Sequence, residues 1–245
     1  WFDLQNGVVG SKDAAIIDHG MIDYGDGWWL CWASKNAGST SGGASLEVVN
    51  ANGSLDRSAA DTLLIAGTQF ELGAFHTSYI PTSGASATRA ADVASIPTSA
   101  FGYNSGAGTV VVDFNRDHLS TDYAQIASLD DGSLVDRTSL ALSGGAGRRY
   151  RADVYDNSVV QFSNTNVGDG TTSGMKVALA FAENDFAALI DGGTVATDAS
   201  GTLPSASTLV IGDRSQISAP INGHIKSIQY YPRRLTNAQL QELTT

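Results

Sequence analysis

Residues 70–96 of this 245-residue chain, FELGAFHTSYIPTSGASATRAADVASI, constrain the fold more than any other stretch, because they read as a joint. Pro81 fixes its own φ and pushes Ile80 toward extended geometry, while Gly84 can take positive φ, so Ile80-Pro81-Thr82-Ser83-Gly84 is a turn signal. The run after it is small and polar, too poor in large apolar residues to build a core element. Strand-like patterns lie on both sides. The joint therefore predicts two β modules, at 1–83 and 84–245.

Composition agrees with an all-β chain. Hydrophobic residues make up 42% and charged ones only 16%, and 27 Gly stand against 5 Pro, which suits short strands and tight turns. The net charge of −11 argues against nucleic acid and anionic membrane as partners, since both need a basic surface. Asp supplies most of the acid, with only four Glu, and so much of the negative charge is expected at strand ends. Cys31 is the only cysteine, which excludes an intrachain disulfide and a thiolate metal cluster. No apolar run approaches the roughly 20 residues of a membrane-spanning helix, so no membrane insertion is expected. The chain opens on Trp1-Phe2 without an initiator Met, which leads to the expectation of a processed or partial polypeptide.

Alternation and turn spacing predict strands at 1–9, 14–18, 27–34, 45–49 and 63–70 in the first module. In the second, 109–114 is a β-branched run. Met175, Val177, Leu179 and Phe181 alternate into a hairpin that turns at Glu183-Asn184-Asp185 and returns over 186–190. Further strands are predicted at 208–212 and 224–231, the last with a bulge near Ser227 to repair its alternation. Thr236 and Gln239 form a capping box, with Leu235 and Leu240 as a hydrophobic staple. A short helix should follow, with Leu240 and Leu243 plugging an open end of the sandwich.

TSYIPT and TRAADVASI in the joint, with NGHIKSIQYYPRRLTNAQLQEL near the C-terminus, resemble the C-terminal regions of tailed-phage and prophage virion proteins. The resemblance implies a carbohydrate-binding-module-like jelly roll followed by a concanavalin-A/laminin-G-like sandwich. The first module matches only the later part of that jelly roll, so its remaining strands are expected from elsewhere. The resemblance further implies a lectin-like, non-enzymatic component of a phage tail or capsid surface that attaches to host-surface polysaccharide. Its partners would be other virion subunits and copies of itself, a trimer being the expected state. A structural collar or decoration protein, and an accessory module of a polysaccharide-degrading enzyme, are the alternatives.

Two clusters are candidate sites. In Gly27-Trp28-Trp29-Leu30-Cys31-Trp32, a strand points Trp28, Leu30 and Trp32 one way and Trp29 with Cys31 the other. The family pattern places Arg where this chain has Leu30. The apolar ribbon can be a sugar-stacking platform, a contact between chains or domains, or a strand buried on both sides. Arg148, Arg149, Tyr150 and Arg151 are the one basic cluster of an acidic chain, and could hold an acidic sugar or a carboxylate. Hydrolytic machinery is not evident. Glu183-x-Asp185 begins the Glu-x-Asp-x-x-Glu motif of β-glucanases, but Ala188 stands in place of the second Glu. His19, His76, His118 and His224 are scattered, without metal-ligand or triad spacing. No cofactor is expected. Asp130-Asp131 and Asp153 with Asp156 offer hard oxygens, the one opening for calcium, but form no Asp-x-Asp-x-Asp-Gly loop.

Overall fold

The computed structural model describes every residue except 37–42, 59–60, 73–75, 90–91, 93, 117–122, 144–148, 170–173 and 215–218, and the backbone alone at 165–169. The described residues are all-β apart from one 3₁₀ turn and one short helix. It divides into two compact units, Trp1–Ala90 and Ala91–Thr245, a division that falls inside the 70–96 joint.

The first unit holds β1 (Phe2–Asp3) paired with β2 (Val8–Val9), and β3 (Ile16–Gly25) paired with β4 (Trp28–Lys35). A single strand over 1–9 does not form. The Asp3 carboxylate accepts the amides of Gln5 and Asn6 at 3.1 and 3.0 Å and turns the chain back on itself. β3 runs through to Gly25, beyond the predicted 14–18, because Asp26 and Gly27 both take positive φ (52° and 80°). That is the two-residue turn whose twist matches a hairpin. Residues 45–49 contribute only the isolated Val49–Arg57 bridge, and 63–70 forms no strand. Among the described residues of this unit, Gly20 alone is buried.

The second unit is a two-sheet sandwich. Its strands are β5 (Ala94–Pro97), β6 (Ala107–Arg116), β7 (Ala124–Asp130), β8 (Arg137–Leu142), β9 (Arg149–Asp156) and β10 (Val159–Asp169). They continue with β11 (Met175–Ala182), β12 (Asp185–Ile190), β13 (Ala196–Asp198), β14 (Thr208–Ile211) and β15 (Gly223–Tyr231). One sheet has six strands in the order β10-β9-β8-β7-β14-β5, the other five in the order β13-β12-β11-β6-β15, with antiparallel pairing throughout. The small, polar run, too poor in large apolar residues for a core element, ends in β5, an exposed edge strand where few apolar side chains are needed. The 175–190 hairpin forms as predicted, with Asn184 in its turn at φ 58° and β11 at the middle of its sheet. The register of β15 against β6 shifts between Ile225 and Ser227, which is the predicted bulge.

Strand alternation sorts every side chain to one of two faces. Met175, Val177, Leu179 and Phe181 of β11, and Phe186, Ala188 and Ile190 of β12, enter the core with Leu140, Leu142, Ala152, Val154 and Phe162 of the facing sheet. The intervening Ala178, Ala180 and Ala187 face outward and are small. α1 (Asn237–Thr244) seats Leu240 on them, beside Val111, Leu189 and Leu235. The helix thus covers the outer face of the five-stranded sheet, not an end of the sandwich. Its capping box forms, and buried Thr109 accepts the Leu235 amide at 3.0 Å while donating to the Arg233 carbonyl at 2.9 Å. Replacing Leu240 by Asp places an unpaired carboxylate in this contact and should cost about 3 kcal/mol or more. A thermal melt of that variant should shift down by several degrees, whereas a melt like the parent's would mean that the helix adds nothing.

Candidate functional site on the six-stranded sheet

Among the described residues no helix packs on the outer face of the six-stranded sheet, and many of the side chains there are polar. On β9 the alternation sends Tyr150, Ala152 and Val154 inward, leaving Arg151, Asp153 and Tyr155 outside. On β8 it leaves Arg137, Ser139 and Ala141 outside. The register then aligns Arg137 with Tyr155, Ser139 with Asp153, and Ala141 with Arg151 across one ladder. Ser139, Ala141 and Asp153 form a buried floor, while Arg137, Arg151 and Tyr155 are half-buried around it.

Asp153, 2% exposed, holds this arrangement. One carboxylate oxygen pairs with Arg151 Nε, and the other accepts Ser163 Oγ at 2.7 Å. Arg151 also donates to Tyr155 Oη at 3.1 Å. The Arg137 guanidinium lies over the Tyr155 ring, 3.7 Å from its centre, and donates to the Leu134 carbonyl. From a neighbouring loop, Arg214 lies 5.5 Å from the centre of the Tyr123 ring. Tyr123 donates to Gln125 Oε1, and the fully buried Gln125 amide spends its two donors on the Ala127 and Leu140 carbonyls, each bond 2.8 Å long.

The charges act on one another. Burial raises the pKa of Tyr123; the Arg214 charge opposes that shift, Asp153 adds to it, and Arg137 and Arg151 oppose it. Burial and then the Arg214 charge lower the pKa of Arg137. Burial opposes the charge on Arg151 as well, but Asp153 outweighs it and the net shift is upward. Among the described residues, the buried Nε–H groups of Arg137, Arg214 and Arg151 and the buried Ser139 Oγ make no aligned hydrogen bond, although Arg151 Nε lies against the Asp153 carboxylate. Buried donors are ordinarily paired, so the half-buried Arg137 and Arg214 guanidinium groups retain donor capacity that an anion at this face could use. Asp153 is already committed to Arg151 and Ser163, which suits holding a partner in place, not donating a proton.

The predicted site residues separate. Arg151 belongs to the cluster. Tyr150 does not: it is 2% exposed on the core side, packed edge-on to Phe114 at 5.8 Å with its hydroxyl on Met175 Sδ, and burial pushes its pKa up to about 12. Arg148 lies outside the described residues, as does His118. Arg137, Tyr155, Tyr123 and Arg214 were not singled out from the sequence, and Asp153 was named only as a hard oxygen for calcium, although Arg151-x-Asp153-x-Tyr155 alternates with apolar residues and marks one polar face. In the first unit, Trp28, Leu30 and Trp32 share a face as expected, opposite Gly25, Ile22 and Gly20. Trp28 is 46% exposed, Leu30 is half-buried, and half-buried Trp32 lies over Gly20 and 4.3 Å from the His76 ring. A Cβ at Gly20 would come within 2.3 Å of the Trp32 ring, so only glycine admits this packing. Asp185, from the truncated hydrolase motif, sits at the β11–β12 turn and pairs with Arg234 at 2.9 Å. Asp130 and Asp131 accept the amides of Gly132 and Ser133 at 2.9 Å, and among the described residues no three His, Cys, Asp or Glu side chains converge as a metal site.

The two kinds of arginine should differ in stability measurements. Arg151→Met strands the buried Asp153 carboxylate and should cost about 3–5 kcal/mol. Arg214→Met removes a cation without a paired carboxylate and should leave the melting temperature unchanged or raise it. Equal losses for the two variants would contradict this division.

No protein-family model and no curated protein sequence matches the chain. Solved structures do match it. The CBM40 module of the Ruminococcus gnavus IT-sialidase, bound to α2,6-sialyllactose, is similar at TM-score 0.50 and 15% identity, over 58% of this chain and 85% of that one. The NanB sialidase of Streptococcus pneumoniae gives 0.49 and 13%, over 61% of this chain and 26% of that one. A Trypanosoma rangeli sialidase gives 0.46 and 19%, over 57% and 22%. The chain thus spans about a quarter of the length of these two sialidases. At such identities the likeness to the CBM40 module is one of fold, a β-sandwich.

Proposed function

We propose that the chain is a non-catalytic glycan-binding protein whose six-stranded sheet takes an acidic sugar on its outer face. The observation that carries this reading is the pair of buried, acceptor-free Nε–H donors of Arg137 and Arg214 beside two tyrosines. A sugar carboxylate would accept from the guanidinium groups, and the Tyr155 and Tyr123 rings offer edges and hydroxyls to the sugar ring. The fold neighbour solved with α2,6-sialyllactose, a carboxylated trisaccharide, supports the same class of ligand. The resemblance of the joint and of 222–243 to virion proteins supports host attachment at a phage surface, outside the cell and among other virion subunits. An accessory module of a polysaccharide-degrading enzyme is the second reading, favoured by the partial match to whole sialidases.

Titration calorimetry of the intact chain should detect a carboxylated oligosaccharide and not the same oligosaccharide with its acid reduced to an alcohol. Converting both Arg137 and Arg214 to Met should weaken binding by about tenfold or more, and added salt should weaken it further. Equal affinity for the neutral sugar, or full affinity in the double variant, would overturn the proposal. Shortening of the oligosaccharide by the purified chain would show that it is an enzyme.

A further inference from the structure

A second surface, in the first unit, is independent of the sugar-binding reading. With Gly20 its one buried described residue, this unit leaves Leu64, Ile65, Phe70 and Leu72 exposed, Phe70 at 80% and Leu72 at 101%. The stretch 62–70, TLLIAGTQF, contains the 63–70 strand pattern yet forms no strand, and no main-chain hydrogen bond within the described residues engages it. In the same unit, β4 pairs with β3 alone among the described residues, which leaves its other edge without a strand partner there. One chain therefore holds both an unused strand and an unused edge.

We propose that residues 62–70 of one copy add as a strand to the open edge of β4 in a second copy. Charge favours this occupant. Two copies of a chain with net charge −11 repel, but 62–70 contains no charged residue, and neither does β4 from Trp28 to Ser34. The two surfaces can meet without opposing carboxylates, whereas the open edge of β3 would present Asp18 and Asp23. Exposure agrees with it too: Leu64, Phe70 and Leu72 are almost wholly exposed, and Trp28 of β4 is still 46% exposed. Gly67, at φ 64°, bends the segment and can straighten without a side-chain penalty. Donor and acceptor are different surfaces, so the contact closes either by reciprocal exchange in a dimer or as a ring such as a trimer.

Sedimentation equilibrium of the intact chain, with hydrogen exchange at low and high concentration, tests this directly. The parent should assemble, and amides 62–70 should gain protection as concentration rises. Leu64→Pro removes a ladder donor from a segment without internal ladder bonds. It should raise the dissociation constant at least tenfold while the sandwich melt and acidic-sugar binding stay unchanged; if it precipitates, Leu64→Lys carries the same expectation. A parent that is monomeric at every concentration overturns the proposal. So does a variant that assembles like the parent, or protection that never reaches 62–70.

Discussion

The two-residue period of β8 and β9 is the constraint on which both the core and the candidate site depend. Leu140, Leu142, Tyr150, Ala152 and Val154 can enter the core only if Arg137, Ser139, Arg151, Asp153 and Tyr155 face the other way. A slip of one residue in either strand would bury guanidinium groups against Phe114 and Met175 and expose the apolar set, so the hydrophobic core fixes the register and the register assembles the polar face. Asp153 completes it. Removed from water and bonded to Arg151 and Ser163, it lowers the cost of keeping a cation beside Arg137 and Arg214.

The two sheets solve the problem of their outer faces differently. The five-stranded sheet carries small alanines outward and is sealed by a helix anchored at Leu240. The six-stranded sheet carries charges outward and leaves part of their hydrogen-bonding capacity open. Binding sites commonly retain such unspent capacity, at some cost in stability. It also places a local positive cluster on a strongly acidic chain, a contrast that would draw an acidic sugar to this face at close range while the rest of the surface repels it. The first unit is different again. Trp29 and Trp32 pack against Gly7 and Gly20, not into a closed core.

Local signals were legible in the sequence wherever neighbours along the chain decide the outcome. The 175–190 hairpin, the bulge near Ser227 and the Thr236–Gln239 cap each depend on a few adjacent residues. Residues 63–70 carry a strand pattern but find no partner, because pairing is a property of two segments and only one was visible. β5 was missed for the converse reason: an edge strand exposed to water needs little apolar content. Arg151 was found as part of a basic run, and Tyr150 was wrongly grouped with it, since adjacency in sequence is opposition in a strand. Tyr123, Arg137 and Arg214 come from separate strands and loops, and only the folded register brings them to one face.

The claim at the centre of this account is that open arginine donors on the six-stranded sheet meet the sugar acid. Side-chain Nε–H resonances of arginine, followed by NMR during titration with a carboxylated oligosaccharide, address it most directly. The Arg137 and Arg214 Nε–H signals should shift and gain protection from solvent exchange. The signal of buried Arg116 and the indole signals of Trp28 and Trp32 should stay in place. Movement of the indole signals with the arginine signals unchanged would contradict it and place the sugar on the first unit.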